Sequence, residues 1–292
     1  MDIDCPVVIP YYGGKFELSK KLLRYIPKHL RYFEPFFGGG SMYFRKKKVK
    51  WNILNDIDND LVNLYLCILD KFDELSEKIY WYTRSRKLHD DFRKCIKTTQ
   101  EIDIPDADRA SKYYYIVRNA FNNKPLQTFS KDTYWSTKMI EELKQSKIKL
   151  NGATIENLDF AELIERYSMR EGDFVYLDPP YVIADKKDYY RNRFDEQMHS
   201  KLKDTVDKIS LNNAKFMLSY DDREELREMY REYNIITIKT KYVGRREDPS
   251  KVFNELVITN YQTKEQGELF WAILEKMMKV ILLDVLSVEL DI

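Results

Sequence analysis

Residues 173–181 read DFVYLDPPY, a hydrophobic strand from Phe174 to Leu177 that runs straight into Asp178, Pro179, Pro180 and Tyr181. A carboxylate, a rigid backbone and an aromatic ring are thus delivered together at a strand's carboxyl end, where an open parallel sheet binds its ligands. Consecutive prolines fix φ, restrict the residue before each of them and remove two N–H donors. The carbonyls of Asp178 and Pro179 are left to accept hydrogen bonds from a ligand, beside the Asp178 carboxylate. Acceptors without donors suit an exocyclic amino group, and Tyr181 offers a face on which a base can stack. An isolated DPPY also occurs as a kinked turn with a surface Asp and Tyr, so the flanking chain has to decide.

Upstream, residues 31–37 lead into Gly38, Gly39, Gly40 and Ser41, with Glu34 and Pro35 just before the glycines. A strand that opens into a glycine loop at a helix start is how doubly wound folds bring a cofactor against backbone amides. A second apolar segment, 51–54, ends at Asn55 and Asp56. An acid at that strand end can hold the ribose of an adenosine-containing cofactor, NAD or S-adenosylmethionine alike. Asp56 can equally be the N-cap of a helix over 58–69. Near the start, Gly13, Gly14 and Lys15 make a tight turn with a cation but lack the spacing of a phosphate-binding GxxxxGK[ST] loop. A helix is predicted over 16–26, ending at Pro27.

Downstream, 153–158 reads as a strand followed by Asp159 and Phe160, 199–211 as a helix, 215–219 as a strand and 222–233 as a helix. Segments 235–242 and 255–261 form a final antiparallel pair joined by VGRREDPSKVFN, whose Arg245 and Arg246 are candidates for phosphate contact. The polar stretch 185–193, with Arg191, is placed over the site or against nucleic acid.

Between these halves the character changes. Over 71–150 glycine is absent, charge rises, and aromatics recur among polar residues. Helical periodicity runs through 71–97 and 106–119; a looser stretch, 119–137, follows. It carries Asn119, Asn122, Asn123 and Lys124 just after Arg118. Asn and Arg read base edges by paired hydrogen bonds, and loops with aromatics can wedge into a duplex. As an insertion between halves of a cofactor domain, this segment is assigned to target recognition.

The whole chain sets the bounds. Its 292 residues can bury a large core, and the net charge of +1 does not by itself mark a nucleic-acid binder. Charge is local instead: Lys20, Lys21, Arg24, Lys28 and Arg31, then Arg45, Lys46, Lys47, Lys48 and Lys50, face few acids and suggest a polarised, phosphate-facing surface. Cys5, Cys67 and Cys95 are far apart, and His29, His89 and His199 share no motif, so no disulfide framework or metal site is expected. MDIDCPVVIPYY has neither a cationic start nor a long apolar core, and no run is long enough to span a bilayer. A cytoplasmic protein without membrane partners is the expectation.

Taken together, YYGGK at 11–15, FEPFFGGGS at 33–41, ILNDIDNDLVNLY at 53–65, ENLDF at 156–160, DPPY at 178–181 and FMLSYDD at 216–222 resemble, in order and spacing, the Dam-like alpha-group DNA adenine-N6 methyltransferases. Tyr11-Tyr12 stands where that family often has Trp-Ala, and its FxGxG is FFGGG here. The resemblance covers roughly 7–261 and implies an α/β, Rossmann-like S-adenosylmethionine-dependent methyltransferase fold with a mainly helical inserted target recognition domain. It implies a discontinuous catalytic domain (1–69 and 151–262), a recognition domain at 70–150 and a C-terminal extension at 263–292.

By the same resemblance, Tyr11 and Lys15 contact S-adenosylmethionine, and Glu34, Pro35, Phe36, Gly38, Gly39 and Gly40 line its methionine part. Asp56 holds the ribose with Ile57 beside the adenine ring, Asp159 and Phe160 read and cover that ring, and Asp178 lies between cofactor and target. Asp178, Pro179, Pro180 and Tyr181 would transfer the methyl group to the N6 of an adenine flipped out of double-stranded DNA. A companion restriction endonuclease is a further implied partner; the oligomeric state is left open. Cytosine-N4 methylation, a catalytically silent DNA-binding relative and a nicotinamide-dependent oxidoreductase are the competing expectations.

Overall fold

The computed structural model describes residues 7–9, 16–98, 103–121, 126–180, 194–241 and 252–263. Seven strands form one sheet: β1 (Arg31–Glu34), β2 (Trp51–Asn55), β3 (Thr154–Glu156), β4 (Asp173–Leu177), β5 (Lys215–Asp221), β6 (Asn234–Lys241) and β7 (Val252–Thr259). Their order is β3-β2-β1-β4-β5-β7-β6, parallel except for β7, which runs antiparallel to both its neighbours. This is the Rossmann-like arrangement expected. The order reverses direction at β1, between β2 and β4, and that switch point is where such sheets open a crevice.

Strand β4 is buried along its whole length, so its apolar run needs no alternation. Its register on β1 pairs Arg31 with Asp173, Tyr32 with Phe174 and Phe33 with Val175. The pairing is reinforced by side chains: Arg31 Nε and Nη2 each donate to the Asp173 carboxylate at 2.6 Å. Locking the amino ends of these strands fixes which residues emerge together at their carboxyl ends, namely Glu34 and Asp178.

Helices cover both faces. On one side lie α1 (Phe16–Leu22), continued as a 3-10 turn to Tyr25, α2 (Asn59–Asp70), α3 (Phe72–Trp81), α4 (Arg86–Thr98), α5 (Ala107–Asn119) and α6 (Lys138–Leu150). On the other lie α7 (Phe160–Arg166), α8 (Glu196–Leu211) and the short α9 (Glu224–Met229). Tyr32, Phe174 and Tyr176 face the first layer, Phe33, Val175 and Leu177 the second, as the two-residue period of a strand dictates.

Two expectations change. The periodicity over 71–97 is not one helix: α3 stops at Trp81 and α4 starts at Arg86. In the break, Ser85 Oγ accepts from the Leu88 N–H at 3.3 Å and the Ser85 N–H donates to the Tyr115 hydroxyl at 2.8 Å. Nor does a helix follow the glycine loop. Residues 38–46 instead make tight turns, with Phe44 N–H on Gly40 O at 3.0 Å and Lys46 N–H on Met42 O at 2.9 Å. Phe37, Tyr43 and Phe44 pack on one another there, and burying these rings in a short connection replaces helical regularity.

The insertion shares its apolar layer with the sheet: Ile96, Tyr113 and Leu143 belong to the same core as Tyr32 and Phe174. Polar groups bind it to α2. Asn63 and Asp106 exchange hydrogen bonds at 2.9 and 2.7 Å. Arg109 grips Asp60 through Nε at 2.5 Å and Nη2 at 3.1 Å, both residues being buried.

Candidate active site

The carboxyl ends of β1, β2 and β4 converge at the switch point, and backbone hydrogen bonds hold the loops that leave them. The Phe37 N–H donates to Asn55 O at 2.8 Å, and the Gly40 N–H to Phe37 O at 2.7 Å. Gly38 and Gly40 have φ of +50° and +69°, and a Cβ on Gly40 would lie 2.7 Å from the Phe37 and Phe44 rings, so this turn admits no side chain. Asp56 ties the loop to the end of β2, accepting from the Gly38 N–H at 2.8 Å and the Asp58 N–H at 3.0 Å. Asp58, not Asp56, caps α2, its carboxylate accepting from the Asp60 N–H at 3.0 Å. Burial pushes the Asp56 carboxyl up to about 6, against the pull of the Asp58 and Gly38 N–H groups.

Asn55, which sequence reasoning treated only as a strand end, is the joint of this region. Its buried amide donates to Pro35 O and Leu158 O at 2.9 and 3.0 Å and accepts from the Leu158 N–H at 2.8 Å. An asparagine closing a strand right after the apolar pair Ile53-Leu54 was the available signal, because a buried amide must be satisfied. Beyond it, Phe36, Phe160 and Phe194 form an aromatic cluster, with centroids 5.1 Å apart for Phe36–Phe160 and 5.9 Å for Phe36–Phe194. Asp159 caps α7 through the Ala161 N–H at 2.9 Å and accepts from Lys201 Nζ at 2.8 Å. Ile57 stays 49% exposed.

Across the switch point, Asp178 and Pro180 are partly buried and Pro179 is buried. Ser219 on the adjacent β5 approaches Asp178 Oδ1 at 3.5 Å and exchanges a 3.1 Å hydrogen bond with the Tyr176 hydroxyl. Glu34 is 2% exposed and accepts from the Tyr32 hydroxyl at 2.7 Å. Burial drives its carboxyl up to about 8; the Tyr32 hydrogen bond opposes that shift, and the negative charge of Asp178 adds to it. A buried carboxyl with raised proton affinity, beside a second acid at the crevice of a parallel sheet, marks a candidate functional site.

A family model for the D12 class N6 adenine-specific DNA methyltransferases matches residues 11–243. The chain belongs to that family. Relatives include the Type II methyltransferase M1.LlaDCHI of Lactococcus lactis subsp. cremoris, 25% identical across 85% of this chain and 93% of its own length. The Type II methyltransferase M.MjaIII of Methanocaldococcus jannaschii is 26% identical across 87% and 98%. The DNA adenine methylase of Escherichia coli K12 is 23% identical across 80% and 87%. The family is one of adenine-N6 methylation in DNA, which favours that reaction over cytosine-N4 methylation and hydride transfer.

Of the methyltransferase's sequence-predicted residues, the structure brings together Glu34, Pro35, Phe36, Gly38, Gly39, Gly40, Asp56 and Ile57 at the ends of β1 and β2. Asp159 and Phe160 follow β3, and Asp178, Pro179 and Pro180 follow β4. Tyr11, Lys15, Asn122, Asn123, Lys124, Tyr181, Arg191, Arg245 and Arg246 lie outside the described residues. Asn119 requires correction. It is fully buried, donating to Tyr115 O at 3.0 Å and accepting from Thr133 Oγ1 at 3.4 Å, so its amide is used inside the insertion and not offered to a base. Arg118 is turned to Glu142 at 3.3 Å with 17% of its side chain exposed. Lys46, counted with the phosphate-facing cluster, is 3% exposed and points inward. The outward groups are others: Trp81 and Tyr134 are 72% and 71% exposed. Arg84 and Arg86 sit over the Phe129 ring at 4.7 and 5.1 Å. Among the described residues no group of His, Cys, Asp and Glu could hold a metal, and no helix is long and apolar enough to cross a membrane.

Proposed function

We propose that the chain binds S-adenosylmethionine at the switch point and methylates an adenine extruded from duplex DNA, with Asp178 and Pro179 as the groups that hold the target amine. The observation that carries this reading is the emergence of Asp178-Pro179-Pro180 from a fully buried strand directly beside the β1 end that carries Glu34 and the glycine loop. The chain's own groups fit the cofactor's chemistry. Glu34 is a buried carboxylate with little compensation, suited to a cationic amino-acid end. Asp56 is a second carboxylate for a ribose diol, and the Phe36–Phe160 cluster supplies an apolar face for a purine.

When bound, S-adenosylmethionine supplies an electrophilic sulfonium methyl group. The N6 of adenine is a poor nucleophile because its lone pair is delocalised into the ring. The Asp178 carboxylate and the Pro179 carbonyl accept its two N–H bonds, which lets the nitrogen pyramidalise and aim its lone pair along the line of displacement. Orientation supplies much of the acceleration. Acceptors directed at the positive charge that develops on N6 supply more, and Asp178 or water takes the departing proton. Pro180 holds the backbone, and Tyr181 stacks on the extruded base. Residues 70–150 choose the target, with Asn122, Asn123 and Lys124 there and Arg191, Arg245 and Arg246 beyond it as contacts to bases or phosphates. The DNA substrate and the free Cys67 and Cys95 support action in the cytoplasm. The Type II designation of the lactococcal relative supports a companion endonuclease.

The test is to incubate the protein with DNA and methyl-labelled S-adenosylmethionine and digest to nucleosides. Labelled N6-methyladenine is expected; N4-methylcytosine as sole product overturns the target assignment. Asp178→Ala should lose on the order of 10²–10³-fold in transfer while still binding DNA, and undiminished turnover would sink the role given to that carboxylate.

A further inference from the structure

We propose that Lys46 is a positioning residue for the cofactor: its buried ammonium acts through the Tyr32 ring on the Glu34 carboxylate, so that a cationic ligand is taken up with loss of a proton from the Tyr32–Glu34–Lys46 cluster. The inference rests on the reading of this crevice as the S-adenosylmethionine site and adds the chain's own means of charging it.

The geometry is unusual for a lysine. Lys46 Nζ lies 4.1 Å from the centroid of the Tyr32 ring and donates to Lys47 O at 2.9 Å; among the described residues it meets a π face and a carbonyl, with no direct carboxylate partner. Its own carbonyl is fixed by Lys149 Nζ at 2.7 Å. On the other side of the ring system, the Tyr32 hydroxyl donates to Glu34 Oε2 at 2.7 Å, and Tyr32 is fully buried. A cation on the face of a phenol draws electron density from it and makes its O–H a stronger donor, so Lys46 stabilises the ionised form of Glu34 without touching it. Buried ammonium groups are normally retained only when paired. A lysine brought into the sheet's core to face a tyrosine that serves a carboxylate has a purpose that packing alone does not supply.

The other groups around this cluster come from every neighbouring element. Asp178, after β4, opposes ionisation of Glu34, while the Tyr43 N–H supports it. Tyr176 on β4 faces Tyr32, and Tyr65 on α2 feels Glu34 and Asp56. Lys149 on α6 opposes the charge on Lys46, and His29, ahead of β1, feels that charge in turn. The balance leaves both members poised: burial lowers Lys46 to about 7, and Glu34 stands at about 8. Near neutral pH Glu34 therefore holds a proton until a cation arrives. The cation favours the carboxylate, and the proton leaves to solvent. Affinity for a cationic ligand should then rise with pH up to about 8.

The experiment is calorimetric titration of S-adenosylmethionine into the full chain at several pH values, in phosphate and in Tris, whose different ionisation enthalpies report the protons exchanged. The native protein should release on the order of half a proton or more at pH 7. Lys46→Met should bind about tenfold more weakly at pH 7, with the rising limb moved up by about one pH unit. Lys46→Arg, charged at every pH tested, should keep the affinity at pH 7 and move the rising limb down rather than up, and Glu34→Gln should abolish the release. If Lys46→Met does not fold, Tyr32→Phe breaks the same link and should move the limb in the same direction. Binding without proton release, or a Lys46→Met profile weakened equally at every pH, overturns the proposal. Absence of any binding to the native protein overturns the cofactor assignment itself, a separate failure.

Discussion

Strand β1 carries charge at both ends, and the two ends are treated oppositely. At the amino end, Arg31 forms a two-point ion pair with Asp173 of the neighbouring strand, and the Arg170 N–H adds a further bond to the same carboxylate at 2.8 Å. At the carboxyl end, Glu34 has one hydroxyl donor and the Tyr43 N–H, a second carboxylate nearby, and a lysine set over the Tyr32 ring. The first arrangement satisfies a buried charge where it stands and so serves register. The second leaves a buried carboxyl poorly supported as an anion, which costs stability when it ionises and retains affinity for a cation that arrives from outside.

Removing one partner at the satisfied end should have the largest effect. Arg31→Met strands the Asp173 carboxylate and should cost about 3 kcal/mol in urea-induced unfolding; a loss within experimental error would mean that the pair is dispensable for register. At the other end the sign reverses. The pKa of Glu34 in the fold, about 8, lies above its ordinary 4.5, so between these values the folded chain binds more protons than the unfolded one. Stability falls as pH rises through that window. Lys46, lowered from 10.5 to about 7, acts in the opposite sense above pH 7. Glu34→Gln should therefore raise stability at pH 8 by about 1–2 kcal/mol and flatten its decline between pH 5 and 8. Thermal unfolding across that range checks it, and a destabilised variant would show that the carboxylate is better compensated than its contacts indicate. The smallest change is expected where charge is solvated. Arg166 and Glu162 pair at 2.8 Å on α7 with 53% of each side chain exposed, and Arg166→Ala should shift stability by no more than about 0.5 kcal/mol.

The carboxyl ends of β1, β2 and β4 were legible because their chemistry is local. An apolar run ending in DPPY and a glycine triplet after a strand each state their own conformation, and in order they named the family. Asp56 was assigned correctly to the strand end, but its bond to Gly38 spans eighteen residues and could not be read. The glycine loop was expected to open a helix; the aromatic packing of Phe37, Tyr43 and Phe44 overrides that local pattern. In the insertion, Asn119 has the composition of a base reader, and only its burial between α5 and Thr133 shows where its amide is spent.

Sequence by itself determined the sheet class and the family and proposed the candidate site segments, because periodicity, prolines and glycines act over a few residues. Tertiary structure alone decided which charges are satisfied. Lys46 is one basic residue among four neighbours in RKKKVK, and nothing local distinguishes it from Lys47 or Lys48. Its inward turn onto Tyr32 depends on the sheet and the turns after β1, and its proton affinity depends on how much water that packing removes. Desolvation is a property of the assembled fold, and for that reason the charge state of the crevice could not be read from the chain.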